Sequence, residues 1–392
     1  MNIALCTDSF PPVMGGTEFV VDVLARKLSS KLHGSHNVAV FTQDFCHKNI
    51  NDSDLPYKVY RTKGVKIPFV EEFTCYPKLD NNFIEAFVNF KPDVVHIHTV
   101  DVIGNWAVEM AKSIKVKSIL TVHTRYVYAY DLFTPFSEDN FVHQKIVEML
   151  KTKNIEIVKN ADVVTTVSDS SLHEELQKSY GIDREVAIIR NGFDSPVVKI
   201  DSNYYLKNNE RNKFLISFSG RVNKTKNLNF SLQVILELVN RNIPVVFYIA
   251  GEGAAKRHYV KCLEEYGIRE HVVWLGRLKQ DDLFKLHSKC DLFLFPSIFD
   301  NDSIAAMEAR FCGCPTMAIK DTGTAERIVE GVNGYTVNYE LDEFVSKIIE
   351  LYNMKQSNFE EYIKIRKSTS ELIPKNWDEV TNEYLELYKG NS

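Results

Sequence analysis

The chain has 392 residues, 44% of them hydrophobic and 25% charged, with a formal net charge of −5. That length exceeds one ordinary core and predicts two domains of roughly 200 residues each, while the acidic balance disfavours a nucleic-acid partner. No apolar run approaches the roughly 18 residues needed to cross a bilayer, and the opening MNIALCTDSFPP lacks the basic flank and apolar stretch of a secretory signal.

NIALCT (2–7) predicts the first strand, and apolar residues recurring at helical spacing predict a helix over 17–33. A strand over 37–43, a helix over 82–91, a strand over 92–99, a helix over 103–114 and a strand over 117–124 follow. The half closes with a helix over 141–160, a strand over 162–168, a helix over 169–179 and a strand over 185–192. Such alternation implies a parallel sheet covered on both faces. Residues 195–213 are polar and aperiodic and read as a linker. The pattern then restarts, with strands at 214–220, 245–251, 272–276, 291–297, 315–319 and 334–338. The helices between them are expected at 227–240, 254–267, 280–288, 303–312 and 324–330, and helices dominate to the end. The expected fold is α/β, with two doubly wound Rossmann-like domains, 1–194 and 214–375, facing a central cleft, and a closing helix in 376–392. Ligands in such sheets sit beyond the carboxyl ends of strands.

Several strand ends carry candidate chemistry. After the first strand, Gly15 and Gly16 let backbone N–H groups approach an anion at a helix start, with Thr17 as a possible cap. In SGRVNKTKNL, Arg221 and Lys226 suit a diphosphate; a solvated charged loop is the competing reading. AGEG places Glu252 at the next strand end, either as a structural or a ligand-facing residue. In FPSIFDNDSIAAMEA a strand hands over to a helix among Asp300, Asp302 and Glu308. A carboxylate there can accept two hydrogen bonds from a ribose diol, or Asp300 or Asp302 can cap the helix. The seven cysteines are scattered, which predicts reduced thiols and a cytoplasmic setting; Cys312 and Cys314 read as buried small hydrophobes, not as a metal site.

The ordered set Gly-Gly loop, TVHT, RNGFD, GRVNKTK, AGEG, PSIFDNDSIAAMEARFCGCPTMA and GTAERIVEGVNGY resembles the retaining GT-B glycosyltransferases, and more narrowly glycosyltransferase family four (group 1). The resemblance spans almost the whole chain. It implies a nucleoside diphosphate sugar as co-substrate, no metal and no cofactor. Arg221 and Lys226 would hold the diphosphate, Gly15 and Gly16 a phosphate or sugar, Glu308 the ribose hydroxyls and Asp300 the donor sugar. The stretch Asn301 to Ile304, with Ser303 within it, would offer backbone N–H groups, and Glu252 would stand beside the donor. Asp300 in place of Glu, and Ser303 in place of Gly, depart from the family's Glu-x7-Glu pattern. The implied reaction is hexosyl transfer with retention. The alternatives are an inactive GT-B partner subunit or a nucleotide-sugar epimerase of the same architecture.

HTRYVYAYDLF resembles the loop of lipid glucosyltransferases, which implies that His123 lies near the transferred sugar and that Tyr126 and Tyr130 face a lipid or saccharide acceptor. A buried aromatic cluster is the other reading. His96 and His98 read as core or rim histidines. The Tyr-rich loop and the lysines at 145, 151, 153 and 159 lead to the expectation of weak peripheral contact with the inner face of the cell membrane. The last helix, 376–389, is expected to cross back to the first domain, as the family's closing helix does.

Overall fold

Short runs of Val, Ile, Leu and Phe without polar alternation suit strands buried on both faces. The computed structural model describes residues 1–13, 15–32, 37–44, 50–63, 65–66, 74–75, 79–126, 140–194, 212–372 and 374–390. They form two compact units, Met1–Gly192 with Lys375–Ser392, and Phe193–Pro374.

The first unit contains β1 (Ile3–Cys6), β2 (Val38–Asp44), β3 (Lys58–Lys63), a small antiparallel pair β4 (Val65–Lys66) and β5 (Thr74–Cys75), β6 (Val94–Ile97), β7 (Lys117–Val122), β8 (Val163–Thr166) and β9 (Ala187–Ile188). Its main sheet is parallel, in the order β3-β2-β1-β6-β7-β8-β9, so the strand order reverses between β1 and β6. Helices α1 (Gly16–Lys31), α2 (Asn81–Phe90), α3 (Val102–Ser113) and α4 (Phe141–Asn160) connect the strands. Phe41 of β2 stacks on Tyr60 at 4.9 Å and meets Phe87 of α2 edge-on at 5.0 Å, tying the sheet to its helices.

The second unit contains β10 (Phe214–Ser219), β11 (Val245–Ala250), β12 (Val272–Gly276), β13 (Leu292–Phe295), β14 (Thr316–Ile319) and β15 (Gly334–Val337), all parallel, in the order β12-β11-β10-β13-β14-β15. Here the order reverses between β10 and β13. Helices α5 (Leu228–Asn240), α6 (Lys256–Glu265), α7 (Gln280–Lys289), α8 (Ile304–Phe311), α9 (Leu341–Ser357) and α10 (Phe359–Glu371) complete it. The buried Asp291 carboxylate joins α9 and α10 to the sheet. It accepts from Leu215 N–H at 2.6 Å, from Lys355 Nζ at 2.8 Å and from the Tyr362 hydroxyl, with Arg366 Nη1 3.9 Å away. A buried carboxylate needs donors in this number to offset its lost hydration.

The final helix, α11 (Trp377–Lys389), packs on the first unit. Asn376 and Glu379 form a capping box at its start. Trp377 meets Phe19 edge-on at 6.4 Å, Lys27 reaches Asp378 at 2.7 Å, and Lys117 Nζ donates to the Leu387 carbonyl at 2.6 Å. Under the sheet's polar strand positions, the Tyr388 hydroxyl meets His96 Nδ1 at 2.6 Å, and His96 Nε2 meets Thr121 Oγ1 at 2.7 Å. His96 is thus a satisfied core histidine.

Several local expectations are corrected. The segment 324–330 holds only a short 3-10 turn, Ala325–Arg327, because Arg327 is drawn into a bidentate pair with Asp302. The strand expected at 185–192 shortens to β9 at the sheet edge. Ser171–Ser179 is wound as a π-helix. The polar edge strand β3 and the β4–β5 pair were not expected at all. The linker falls almost wholly outside the described residues.

Tyr388→Phe is expected to cost about 1–3 kcal/mol, because it strips a buried ring nitrogen of its partner. Lys389→Ala, which breaks only an exposed pair with Glu386, should stay within about 0.5 kcal/mol. Denaturant unfolding of both variants checks this.

Candidate active site

Each sheet has one place where its strand order reverses, and ligands of open α/β sheets bind outside the strand ends there. In the second unit that place is flanked by the loop after β10, which carries Arg221 and Lys226, and the loop after β13, which carries Asp300. Lys226 Nζ lies 2.5 Å from Asp300 Oδ1 and 5.7 Å from the centroid of the Phe295 ring. Asp300 Oδ2 accepts from Ser297 Oγ at 2.5 Å. The proposed diphosphate cation and the proposed sugar carboxylate therefore neutralise each other.

Close backbone packing fixes these loops. A Cβ on Gly251 would lie 1.9 Å from the Gly220 carbonyl oxygen, and one on Gly253 would lie 2.2 Å from that of Val222. The glycines of AGEG therefore let the loop after β11 press against the loop that bears Arg221. Glu252 itself is exposed and pairs with Lys256 at 2.7 Å, an ordinary pair one helical turn apart. Gly323 is pressed against Asn301 in the same way, its Cβ direction meeting the Asn301 carbonyl oxygen at 1.7 Å.

The helix cap is not where it was expected. Ser303 caps α8, its Oγ accepting from Ala306 N–H at 3.3 Å, with an ordinary backbone at φ −70. Asp302 is instead buried and bidentate with Arg327, at 2.6 and 2.7 Å. Serine therefore fits the position without strain, and the leading N–H groups of α8, starting at Ile304, have no intrahelical acceptor. The Asn301 side chain is buried, and neither of its amide atoms has a partner among the described residues. Glu308 lies on α8, and among the described residues it accepts a hydrogen bond from Gln280 Nε2 at 3.4 Å. Burial lifts its pKa to about 7.

In the first unit the reversal lies between β1 and β6. Asp8 follows β1 and accepts from the Thr99 hydroxyl and from Ile103 N–H at 2.7 Å, so it caps α3 from across the sheet. Gly15 is the extended N-cap residue of α1; Thr17 lies inside the helix and does not cap it. A Cβ on Gly16 would meet nothing within 4 Å, so the unit's own packing does not demand that glycine. His98 and His123 end β6 and β7 and meet at 2.9 Å. Burial lowers the pKa of both, that of His123 to about 4. Tyr126 is half-buried against the core, its N–H donating to Glu175 Oε1 at 2.9 Å. Tyr130 lies outside the described residues. Among the described residues no group of three His, Cys, Asp or Glu side chains could hold a metal. Cys6, Cys290, Cys312 and Cys314 are buried, and burial pushes their thiol pKa values up.

Sequence reasoning missed Asp8, Ser297 and Arg327, and set His98 aside with His96. Position immediately beyond a strand's carboxyl end was the available signal for Asp8 and His98.

A sequence model of glycosyl transferases group 1 matches residues 204–368, and one of glycosyltransferase family 4 matches residues 14–195. The chain belongs to the group 1 glycosyltransferases. This glycosyltransferase is 25% identical to an uncharacterised glycosyltransferase of Methanocaldococcus jannaschii, over 99% of its own chain and 98% of the relative. It is 20% identical to the alpha-monoglucosyldiacylglycerol synthase of Streptococcus pneumoniae, over 81% of its chain and 71% of the relative. It superposes with a TM-score of 0.75 on sucrose-phosphate synthase from Thermosynechococcus elongatus, at 16% identity over 99% and 98% of the two chains. With Anabaena HepE in complex with UDP and glucose the TM-score is 0.70, at 17% identity over the full length of both. At those identities the solved structures establish the fold, which is GT-B.

The glycosyltransferase's Glu308 yields a pH prediction. Its folded pKa of about 7 lies above the ordinary carboxylate value of about 4.3, so the folded state holds the proton longer. Stability should fall as pH rises from about 4.5 through 7, where the unfolded chain has already released that proton. Glu308→Gln should flatten this slope, and denaturant unfolding of both proteins from pH 5 to 8 measures it.

Proposed function

We propose that this glycosyltransferase moves a hexosyl unit from a nucleoside diphosphate sugar to a hydroxyl acceptor, with retention at the anomeric carbon. The observation that carries the donor half is the placement of Arg221, Lys226 and Asp300 on either side of the point where the second sheet's order reverses. On this reading Arg221 and Lys226 hold the diphosphate, Asp300 and Glu308 accept from sugar and ribose hydroxyls, and the start of α8 turns N–H groups toward the anion. Negative charge gathers on the diphosphate as the glycosidic bond breaks, and fixed cations and helix N–H groups stabilise it most at that moment. The departing diphosphate then takes the acceptor's proton on the face it leaves. Anabaena HepE in complex with UDP-glucose supports trying uridine diphosphate sugars first.

Donor binding would exchange one anionic partner of Lys226 for another, leaving Asp300 to a sugar hydroxyl. Metal independence fits the same geometry: Asp300 and Asp302 are engaged with Lys226, Ser297 and Arg327. Of the two departures that favour an inactive-subunit reading, Asp300 and Ser303, the second sits in an ordinary backbone and caps α8.

For the acceptor we favour a lipid or lipid-linked saccharide. The S. pneumoniae relative is named for a glucosyldiacylglycerol product. The start of α4 exposes Phe141 and Val142, and Met149 lies further along, on a helix that carries Lys145, Lys151, Lys153 and Lys159. An apolar tip backed by lysines suits weak, salt-sensitive contact with an anionic membrane surface.

Arg221→Ala and Lys226→Ala should each lower kcat about ten- to a hundredfold, since a hydrogen bond to a charged group contributes about 1.5–3 kcal/mol and this one is strongest in the transition state. Turnover over a panel of nucleotide sugars, with membrane lipid extract, reads this; near-normal rates in both variants place the donor elsewhere. A chelator should leave turnover unchanged. Phe141→Ser should reduce co-sedimentation with anionic liposomes at low salt, and wild type that fails to sediment there removes the membrane reading alone.

A further inference from the structure

His98 and His123 stand at the carboxyl ends of neighbouring parallel strands. The His98 N–H donates to the Cys6 carbonyl at 2.9 Å, which fixes the backbone that carries the ring. His98 Nδ1 lies 2.9 Å from His123 Nε2, and the rings are nearly parallel, 19° apart in plane. His96 next door engages both of its nitrogens, with Tyr388 and Thr121. His98 engages only one: its Nε2 is buried and meets no partner among the described residues. The ring of His123 is only half-buried, and the hydrogen bond its ring makes among the described residues is the one through Nε2, which leaves Nδ1 open.

A neutral imidazole has one N–H and one bare nitrogen. One proton lies between the two rings, and where it resides sets both tautomers. If it belongs to His123 Nε2, then His98 must bury an Nε2–H with no acceptor. If it belongs to His98 Nδ1, then His98 buries only a lone pair, and His123 carries its own proton on Nδ1. Orphaned buried N–H groups are the rarer defect. We infer that His98 is a positioning residue that holds His123 as the Nδ1–H tautomer, so that His123 offers a fixed hydrogen-bond donor to an oxygen of the substrate. The oxygen can be a sugar hydroxyl or a phosphate oxygen, since both accept. Burial keeps both rings neutral, which leaves a single proton for the shared bond. His123 then orients the substrate and cannot take a proton through its engaged Nε2.

This inference rests on the reading of His123 as a substrate-facing residue, and its test is independent of turnover. Long-range proton–nitrogen spectra of the full chain labelled with 15N-histidine report the tautomer of each ring, and His123→Gln assigns the His123 signals. The expected result at pH 7 is a neutral His123 protonated on Nδ1. His98→Phe, which keeps a planar ring but no donor, should move His123 toward the Nε2–H form that free histidine favours. Wild-type His123 protonated on Nε2, or on both nitrogens, overturns the inference even if His98→Phe does not fold. A His123 tautomer unchanged by His98→Phe overturns it too. With an active donor, His98→Phe should lower kcat about tenfold with little change in donor KM. Absence of turnover in wild type, alongside the expected tautomer, counts against the transferase reading and leaves the His98 inference intact.

Discussion

Backbone presses on backbone at the strand ends of the second unit, and the geometry of the candidate site depends on that packing. Gly251 and Gly253 leave no room for a side chain between the loop after β11 and the loop after β10, and Gly323 does the same beside Asn301. With the loops held this closely, Lys226 reaches Asp300 and Ser297 closes the other side of the carboxylate. Alanine at any of these glycines would have to move backbone, not a flexible side chain, and the charges would move with it.

Charge inside the molecule is handled in two ways. Asp291 and Asp302 are compensated on the spot, by Lys355, Arg327 and backbone donors. Among the described residues no cation pairs with Glu308 or Asp101, and burial raises the pKa of each to about 7. Burial lowers the pKa of His96 and His98, and that of His287, held between two serine hydroxyls, to about 3. The first group shapes the fold, whereas Glu308 holds its proton to near neutral pH.

The alternation of strands and helices was legible because each strand is a continuous apolar run and each helix repeats its apolar positions at helical spacing. β3 was not, since KVYRTK looks polar; it lies at the sheet edge, where one side faces solvent. The helix expected at 324–330 failed because a tertiary ion pair, Asp302 to Arg327, outweighs local propensity, and no sequence window contains both partners. At the candidate site, the strand-end positions of Arg221, Lys226 and Asp300 were readable, as were the place of Glu308 on the helix that follows and the charge of all four. Their partners were not, because Ser297, Gln280 and Gly323 carry ordinary residue types whose importance comes only from what they touch. His98 shows the limit most clearly. It sits beside His96 in the same HIH sequence, yet one ring is fully hydrogen-bonded and the other is not.

Gly192 ends the first stretch of the first unit, and a Cβ there would lie 2.9 Å from both the backbone N and the Cα of Trp377. The chain therefore departs from the first unit and resumes it at neighbouring points. In covalent terms, 193–374 is an insertion in a fold that is otherwise continuous from β9 into α11. A short splice from Gly192 to Lys375 would preserve every strand of the first sheet and the helix that caps its polar floor. Whether the first unit folds without 193–374 is then a question one spliced chain answers.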